Sequence, residues 1–413
     1  MRSHFPIVEL GKHVRQVSQR NRAEAAIEVF SVTNSEGFTR STDYFSKEVF
    51  SKDVSNYKVV RPGQFAYNPS RINVGSIDYL RHNSPVLVSP LYVVFEGDEE
   101  LQADFLLRYL KSNWGNAQIR SNTEGAVRDS LKFKGLESIK IPLPPLNDQI
   151  RIAHLLGKVE GLIAQRKQHL QQLDDLLKSV FLEMFGDPVR NEKGWNIQPC
   201  EKAVLDISSG TSYGGEDRAF LSHDEVGVLK ISAVTRGTFD PNEFKVVNQA
   251  QITKTLRFVK RGDFLFSRAN TVELVAACCV VQQDYPRLFL PDKLWVLTLN
   301  AELVNSQFFN YLLKNERYRD VVRNLASGGH DSMLNISMKK FKTLGIPCPP
   351  IDLQSQFAVI VEKVEGIKTR YQQSLTDLEG LYGALSQQAF KGELDLSRVL
   401  LATKSMEDAE VER

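Results

Sequence analysis

With 413 residues, 42% of them hydrophobic and 25% charged, the chain has room for two or three domains and an ordinary globular composition. No apolar run reaches membrane-spanning length and the opening MRSHFPIVEL lacks a signal-peptide core, so a cytoplasmic protein is expected. The net charge of +2 argues only weakly for a polyanionic partner, and Cys200, Cys278, Cys279 and Cys348 make no CxxC pair, so neither a metal site nor a disulfide framework is expected.

Residues 1–140 read as an α+β globule rich in short strands. Val59 to Tyr67 is a strand–turn–strand signal with Pro62-Gly63 at the turn, and further strands are expected at Val86–Val88 and Leu91–Phe95. Asp104 to Asn113 predicts a short amphipathic helix. A polar stretch with Arg120, Arg128, Lys132 and Lys134 then leads into Ile141-Pro142-Leu143-Pro144-Pro145. The paired prolines cannot sit inside a helix, so they mark the exit of a strand or loop. Asn147 follows as a candidate N-cap. Beyond it, apolar positions step alternately by four and three: Ile152, Leu156, Val159, Ile163, then Leu170, Leu173 and Leu177, with Arg166 interrupting. That is the 3.5-residue period of a coiled-coil seam. It predicts a helix over about 147–185, roughly 55–60 Å long, ended by Gly186 and Pro188.

Residues 189–345 repeat the plan of the first globule loosely. Arg261 to Arg268 parallels Pro62 to Pro69, Thr271–Val281 and Leu294–Leu299 read as strands, and Gln307–Leu313 as a short helix. A second IPCPP at residues 346–350 answers the first, and from there to Gly392 the chain aligns with residues 141–187 without a gap. Lys158-Val159-Glu160-Gly161 returns as Lys363-Val364-Glu365-Gly366, Gln149 as Gln354, and Phe185 as Phe390. Asp352 is the second candidate N-cap. The second seam runs through Phe357, Val361, Val364, Leu375, Leu378 and Leu385, interrupted by Lys368 and Tyr371. A long lone helix cannot bury its own stripe, so each copy is expected to pack on the other. The expected organisation is 1–140 globule, 141–188 helix, 189–345 globule, 346–395 helix and 396–413 tail.

Charge separates these segments. Residues 1–140 carry 19 basic against 16 acidic side chains and residues 189–345 carry 21 against 17, while the two repeated segments with the tail carry 12 against 17. That bias suits nucleic-acid contact by the globules and protein contact by the helices, and ordinary scatter between segments is the plain alternative. Catalytic motifs are scarce. Tyr67-Asn68-Pro69-Ser70 lacks the second proline and the aromatic of an adenine methyltransferase tetrapeptide, and there is no GxxxxGK[ST] for an ATP-driven motor. Polar loops fit DNA readout better, since Arg and Asn pair with base edges while Ser, Thr and Lys hold phosphates. Candidates in the first globule are Tyr57, Lys58, Tyr67, Asn68, Ser70, Arg71, Asn73 and Arg128. In the second they are Thr211, Tyr213, Ser267, Arg268, Asn270, Thr271, Gly328, Gly329 and His330. Each of these could instead be a turn residue kept for its backbone geometry.

The repeated IPxPP with its glutamine, the helix closing in Phe185-Gly186-Asp187-Pro188, Gly194-Trp195 opening the second globule and the closing Phe390-Lys391-Gly392-Glu393-Leu394 resemble the specificity (S) subunits of Type I restriction–modification systems. The resemblance spans nearly the whole chain; Cys348 stands where the first copy has Leu143. It implies an α+β fold in which two target recognition domains are separated by two long coiled-coil helices that pair antiparallel. It further implies a non-catalytic subunit without a cofactor, each globule reading one half of a bipartite asymmetric site in double-stranded DNA. The helices would set the spacing and dock two methyltransferase (M) subunits, which bind S-adenosylmethionine, with restriction (R) subunits supplying ATP- and Mg-dependent cleavage. Two rivals remain, a nuclease and a protein-binding coiled-coil adaptor.

Overall fold

The computed structural model describes residues 4–22, 27–41, 53–123, 130–328 and 333–399. The chain falls into two compact units, Met1–Arg166 with Ser374–Arg413, and Lys167–Gln373. Each unit therefore takes half of each long helix, where the linear reading placed one whole helix after each globule.

In the first unit β1 (Ile7–Glu9) pairs antiparallel with β10 (Lys140–Pro142), the strand that leads into the first proline pair. A two-stranded ribbon tolerates Pro142 because its strands have free edges. Strands β2 (Val14–Val17), β9 (Val93–Gly97), β6 (Phe65–Tyr67) and β7 (Ile77–Tyr79) form a sheet in the order β2-β9-β6-β7. Strand β5 (Lys58–Val60) pairs with β8 (Val86–Val88) instead of with β6, so the Pro62-Gly63 turn joins two sheets and is not a hairpin. Gly63 takes φ +82°, which a side chain would strain. Helix α1 (Ala103–Lys111) buries Phe105, Leu106, Tyr109 and Leu110, and α2 (Asn113–Ser121) buries Ile119. The end of the second long helix completes this core: the ring of Phe390 meets Phe105 at 5.6 Å and Tyr109 at 5.2 Å, edge to face.

The first long helix, Leu146–Phe185, follows α3 (Phe133–Glu137) and is α4. It starts one residue before Asn147, and Pro145 accepts the first N–H bonds from Asp148 and Gln149, so Asn147 lies in the first turn and does not cap it. Asp352 is placed likewise in the second helix, α9 (Ile351–Lys391).

The second unit is built on the same frame. Its β11 (Asn196–Pro199) pairs with β22 (Gly345–Cys348), the strand before the second proline pair, with Ile197 opposite Pro347 as Ile7 is opposite Pro142. Helix α5 (Cys200–Ala203) links β11 to β12 (Val204–Ser209). A sheet in the order β12, β20 (Leu294–Leu299), β16 (Phe264–Ser267), β18 (Cys278–Val280) packs on α6 (Ser306–Lys314) and α7 (Glu316–Arg323). A further four-stranded sheet of β14 (Phe244–Asn248), β13 (Glu225–Leu229), β19 (Tyr285–Phe289) and β15 (Phe258–Val259) is an addition to this frame. The apolar run Thr271–Val281 is mostly turn, with Ala276 at φ +66°, and only its end forms β18. Phe185 here takes the role of Phe390, meeting Phe308 of α6 at 4.8 Å and Phe357 of α9 at 5.5 Å.

Two buried glutamines join ribbon, helix and globule. Gln149 accepts from the Gln102 N–H at 2.9 Å and donates to the Glu100 and Pro144 carbonyls at 2.8 and 2.9 Å. Gln354 accepts from the Asn305 N–H at 2.8 Å and donates to the Leu303 and Pro349 carbonyls at 2.9 and 2.8 Å. Both side chains are fully shielded.

The helices pair antiparallel within each unit. In the first, Ile152, Leu156 and Val159 are buried, Ile163 is half-buried, and the Tyr382 hydroxyl donates to Glu160 at 2.7 Å. Leu375 is buried there, with Leu378 and Leu385 half-buried. In the second unit Leu177, Phe357, Val361 and Val364 are buried, and Leu170 and Leu173 half-buried. Tyr371 meets His169 at 5.7 Å, and Lys368 binds Asp174 at 2.7 Å and Glu365 at 2.9 Å. Burial works against the Lys368 charge, but these two carboxylates outweigh it and hold the ammonium above the ordinary lysine range. The interruptions of the seam are thus polar contacts within the helix pair.

Candidate nucleic-acid interface

In the first unit, β6 delivers the chain into the loop 68–76. Asn68 closes an Asx turn, accepting from the Ser70 N–H at 3.1 Å, and Ile72 anchors the loop in the core. The Asn116 side chain donates to the Asn73 carbonyl at 2.9 Å, and the Leu131 N–H donates to the Pro69 carbonyl at 3.0 Å. Held this way, the loop exposes Ser70, Arg71 and Val74. Arg71 makes no side-chain ion pair or hydrogen bond among the described residues, so its guanidinium is available to a ligand. Gly75 at φ +95° leaves space for the Asn34 side chain, which an added Cβ would strike at 2.3 Å.

Several expected contact residues have structural work instead. Tyr67 is fully buried, its hydroxyl donating to the Leu131 carbonyl at 3.1 Å, and burial pushes its pKa well above the usual tyrosine range. Tyr57 packs with Val59 and Leu87 in a small core. Lys58 is half-buried, its ammonium donating to the Tyr92 carbonyl at 2.5 Å; burial and then Arg20 hold it below the usual lysine range. In the second unit Ser267 is fully buried and Asn270 nearly so, with the Asn270 side chain accepting from the Thr271 N–H at 2.9 Å. These side chains reach no external ligand from their positions. Their stretches read as polar loops, but Tyr67 and Ser267 end β6 and β16, strands that are covered on both faces. Arg128, Gly329 and His330 lie outside the described residues.

The second unit brings its three sequence clusters together through one arginine. Arg268 donates to the Asp292 carbonyl at 2.9 Å, to the Asp292 carboxylate at 3.3 Å and to the Asn335 side chain at 2.9 Å. The Ser212 hydroxyl bonds the other oxygen of Asp292. The Ser327 N–H donates to the Asn335 carbonyl at 3.0 Å, which places exposed Gly328 beside the same group. Half-buried Thr211 donates its N–H to the Leu290 carbonyl at 2.9 Å. The Tyr213 hydroxyl accepts from the N–H groups of Thr253 and Lys254, each at 3.1 Å, and these bonds, Thr253 first, hold it below the usual tyrosine range. Thr271, Lys254 and the apolar Val272 and Leu274 are exposed. Sequence reading missed Asp292 and Asn335, which lie 24 and 67 residues from Arg268. A carboxylate that holds an arginine by its fork fixes the guanidinium plane, the geometry a bidentate contact to guanine needs.

Among the described residues no group of His, Cys, Asp and Glu could hold a metal ion, and no helix is long and apolar enough to cross a membrane. The free thiols of Cys200, Cys278 and Cys279 are buried, which raises their pKa values to about 12, 11 and 12.

Residues 65–174 match the Type I restriction modification DNA specificity domain. The chain is 25% identical over 326 residues to the EcoKI specificity subunit of Escherichia coli, covering 75% of this chain and 68% of that one. It is 22% identical over 299 residues to the MjaVIII specificity subunit of Methanocaldococcus jannaschii, covering 68% of each. Its fold is similar to the S subunit of M. genitalium, with a TM-score of 0.55 at 12% identity over 94% of this chain and 96% of that one. It is also similar to a chain from a study of complex assembly and conformational transition in a type I R-M system, with a TM-score of 0.54 at 16% identity over 94% and 98%. Two α+β globules on a repeated pair of antiparallel helices, the specificity-domain match and these relatives agree: over most of its length the chain is similar to the DNA specificity subunits of Type I restriction–modification systems.

Proposed function

We propose that each unit reads one half of a bipartite, asymmetric double-stranded DNA target. The observation that carries this reading is one frame used twice with different loops. The ribbon, the buried glutamine and the helix pair recur, while loop 68–76 with its unpaired Arg71 differs from the Arg268–Asp292 cluster and the added sheet. One frame with two dissimilar reading faces suits two different half-sites. The paired helices fix the unread gap and dock two M subunits. The chain itself is non-catalytic and takes no cofactor: the M subunits bring S-adenosylmethionine and methylate adenine, and R subunits with ATP and Mg cleave.

The test is to map methylated adenines in cells that express the chain with its M subunit, and again without the chain. A bipartite motif that disappears with the chain is expected. Methylation independent of the chain would overturn the proposal and leave the adaptor reading, in which Arg71→Ala also leaves DNA affinity unchanged.

A further inference from the structure

The second unit holds a cleft of about 1010 Å3 between α6–α7, the turn at 235–238 and the helix pair. Most charges that line it are paired: Lys368 with Asp174 and Glu365, Arg317 with Asp187 at 2.6 Å, Arg236 with Asp240 at 3.6 Å. Two are not. Lys314 has no ion-pair or hydrogen-bond partner among the described residues, and its ammonium stands 5.2 Å from the Tyr311 ring. Arg319 has both Nε and Nη2 buried without an acceptor. Both side chains line the cleft. Each is held below its usual range, first by burial, the sign of a charge taken from water without compensation. Buried donors are nearly always satisfied, and a pair of orphaned cations facing a cavity calls for an anion.

The first unit carries the corresponding pocket with a single lining cation. There Lys111 stands in the place of Lys314, and Ser112, Asn113 and Glu379 in those of Asn315, Glu316 and Asp174, but the space is only about 320 Å3. Lys111 is exposed there, and Trp114 occupies the position of Arg317. Gly237, at φ +74°, gives Lys314 its room in the second unit, since an added Cβ would lie 3.0 Å from its Cε.

We propose that the cleft of the second unit binds a phosphoryl group, with Lys314 and Arg319 as its cationic ligands. An arginine fork beside a lysine point charge matches several oxyanion oxygens at once, and the cleft is large enough for a nucleotide. This site is independent of the DNA-reading loops.

The full chain with its M subunits is titrated calorimetrically with inorganic phosphate, pyrophosphate and ATP at constant ionic strength. Saturable binding of at least one is expected, weakened tenfold or more in Lys314→Met and in Arg319→Gln but retained in Lys111→Met. ATP binding tighter than pyrophosphate identifies a nucleotide site, and equal affinities identify a phosphate site. No saturable binding, or equal binding by wild type and the Lys314→Met, Arg319→Gln double variant, overturns the proposal. Should the variants unfold, reductive methylation of the wild type decides: the tightest ligand must slow modification of Lys314 and leave Lys111 unchanged.

Discussion

Gln354 satisfies two carbonyls and one N–H from two different segments, a combination that needs an amide. Gln354→Leu leaves those three groups buried and unpaired, so a loss of about 3 kcal/mol is expected in urea unfolding of the second unit. An unchanged midpoint would mean that water replaces the amide at no cost. Arg268 works at the same scale. Asp292→Asn weakens the hold on its guanidinium without removing it, whereas Arg268→Ala removes the guanidinium itself. If Arg268 reads a base as proposed, Arg268→Ala on cognate DNA is expected to cost about 1–3 kcal/mol of binding and to relax specificity at one position in one half-site. A uniform loss across all sequences would make Arg268 a phosphate contact. The repeat aligned Gln149 with Gln354 and Pro144 with Pro349 in the bare sequence, but not the glutamines' other partners, which belong to segments 47 to 51 residues away. Tyr67 and Ser267 were misread for the same reason: polar groups on short strands look exposed until the chain that covers them is known.

At the level of elements, the 3.5-residue period predicted the long helices almost to their ends, because that signal is local and repeats for ten turns. The turn at 271–276 shows the opposite case, where β-branched and apolar residues read as strand but tertiary packing set the backbone. The helix pair carries its own pH dependence. Lys368 titrates above its unfolded value, so its contribution is full below the unfolded lysine pKa and is lost as pH rises through the raised folded value. Helix pairing in the second unit is therefore expected to weaken in strong alkali, and Lys368→Met to abolish that dependence while leaving Asp174 and Glu365 unpaired. Equal alkaline unfolding curves for the two proteins would remove Lys368 from this role.

At the scale of the molecule, a spacer made from paired helices makes a quantitative demand. Deleting residues 167–173 and 368–374 together preserves the heptad register and shortens each helix by about 10 Å, the rise of about three base pairs. The unread gap in the methylation motif is expected to shorten by about that amount, or binding to fail where the two half-sites no longer share a face of the duplex. Normal methylation at the original gap would sink the spacer idea.

Phe390 closes the core of the first unit on Phe105 and Tyr109, about two thirds of the chain length away. The second unit draws on an uninterrupted interior stretch, Lys167–Gln373. A ribosome therefore synthesises everything the second unit needs before it makes the residue that seals the first. The N-terminal half must wait with its sheet partly uncovered, and non-local closure of this kind is slow and open to aggregation. Pulsed hydrogen exchange during refolding is expected to protect amides of β16 and β20 before those of α1. The reverse order would show that the first globule holds itself together without Phe390.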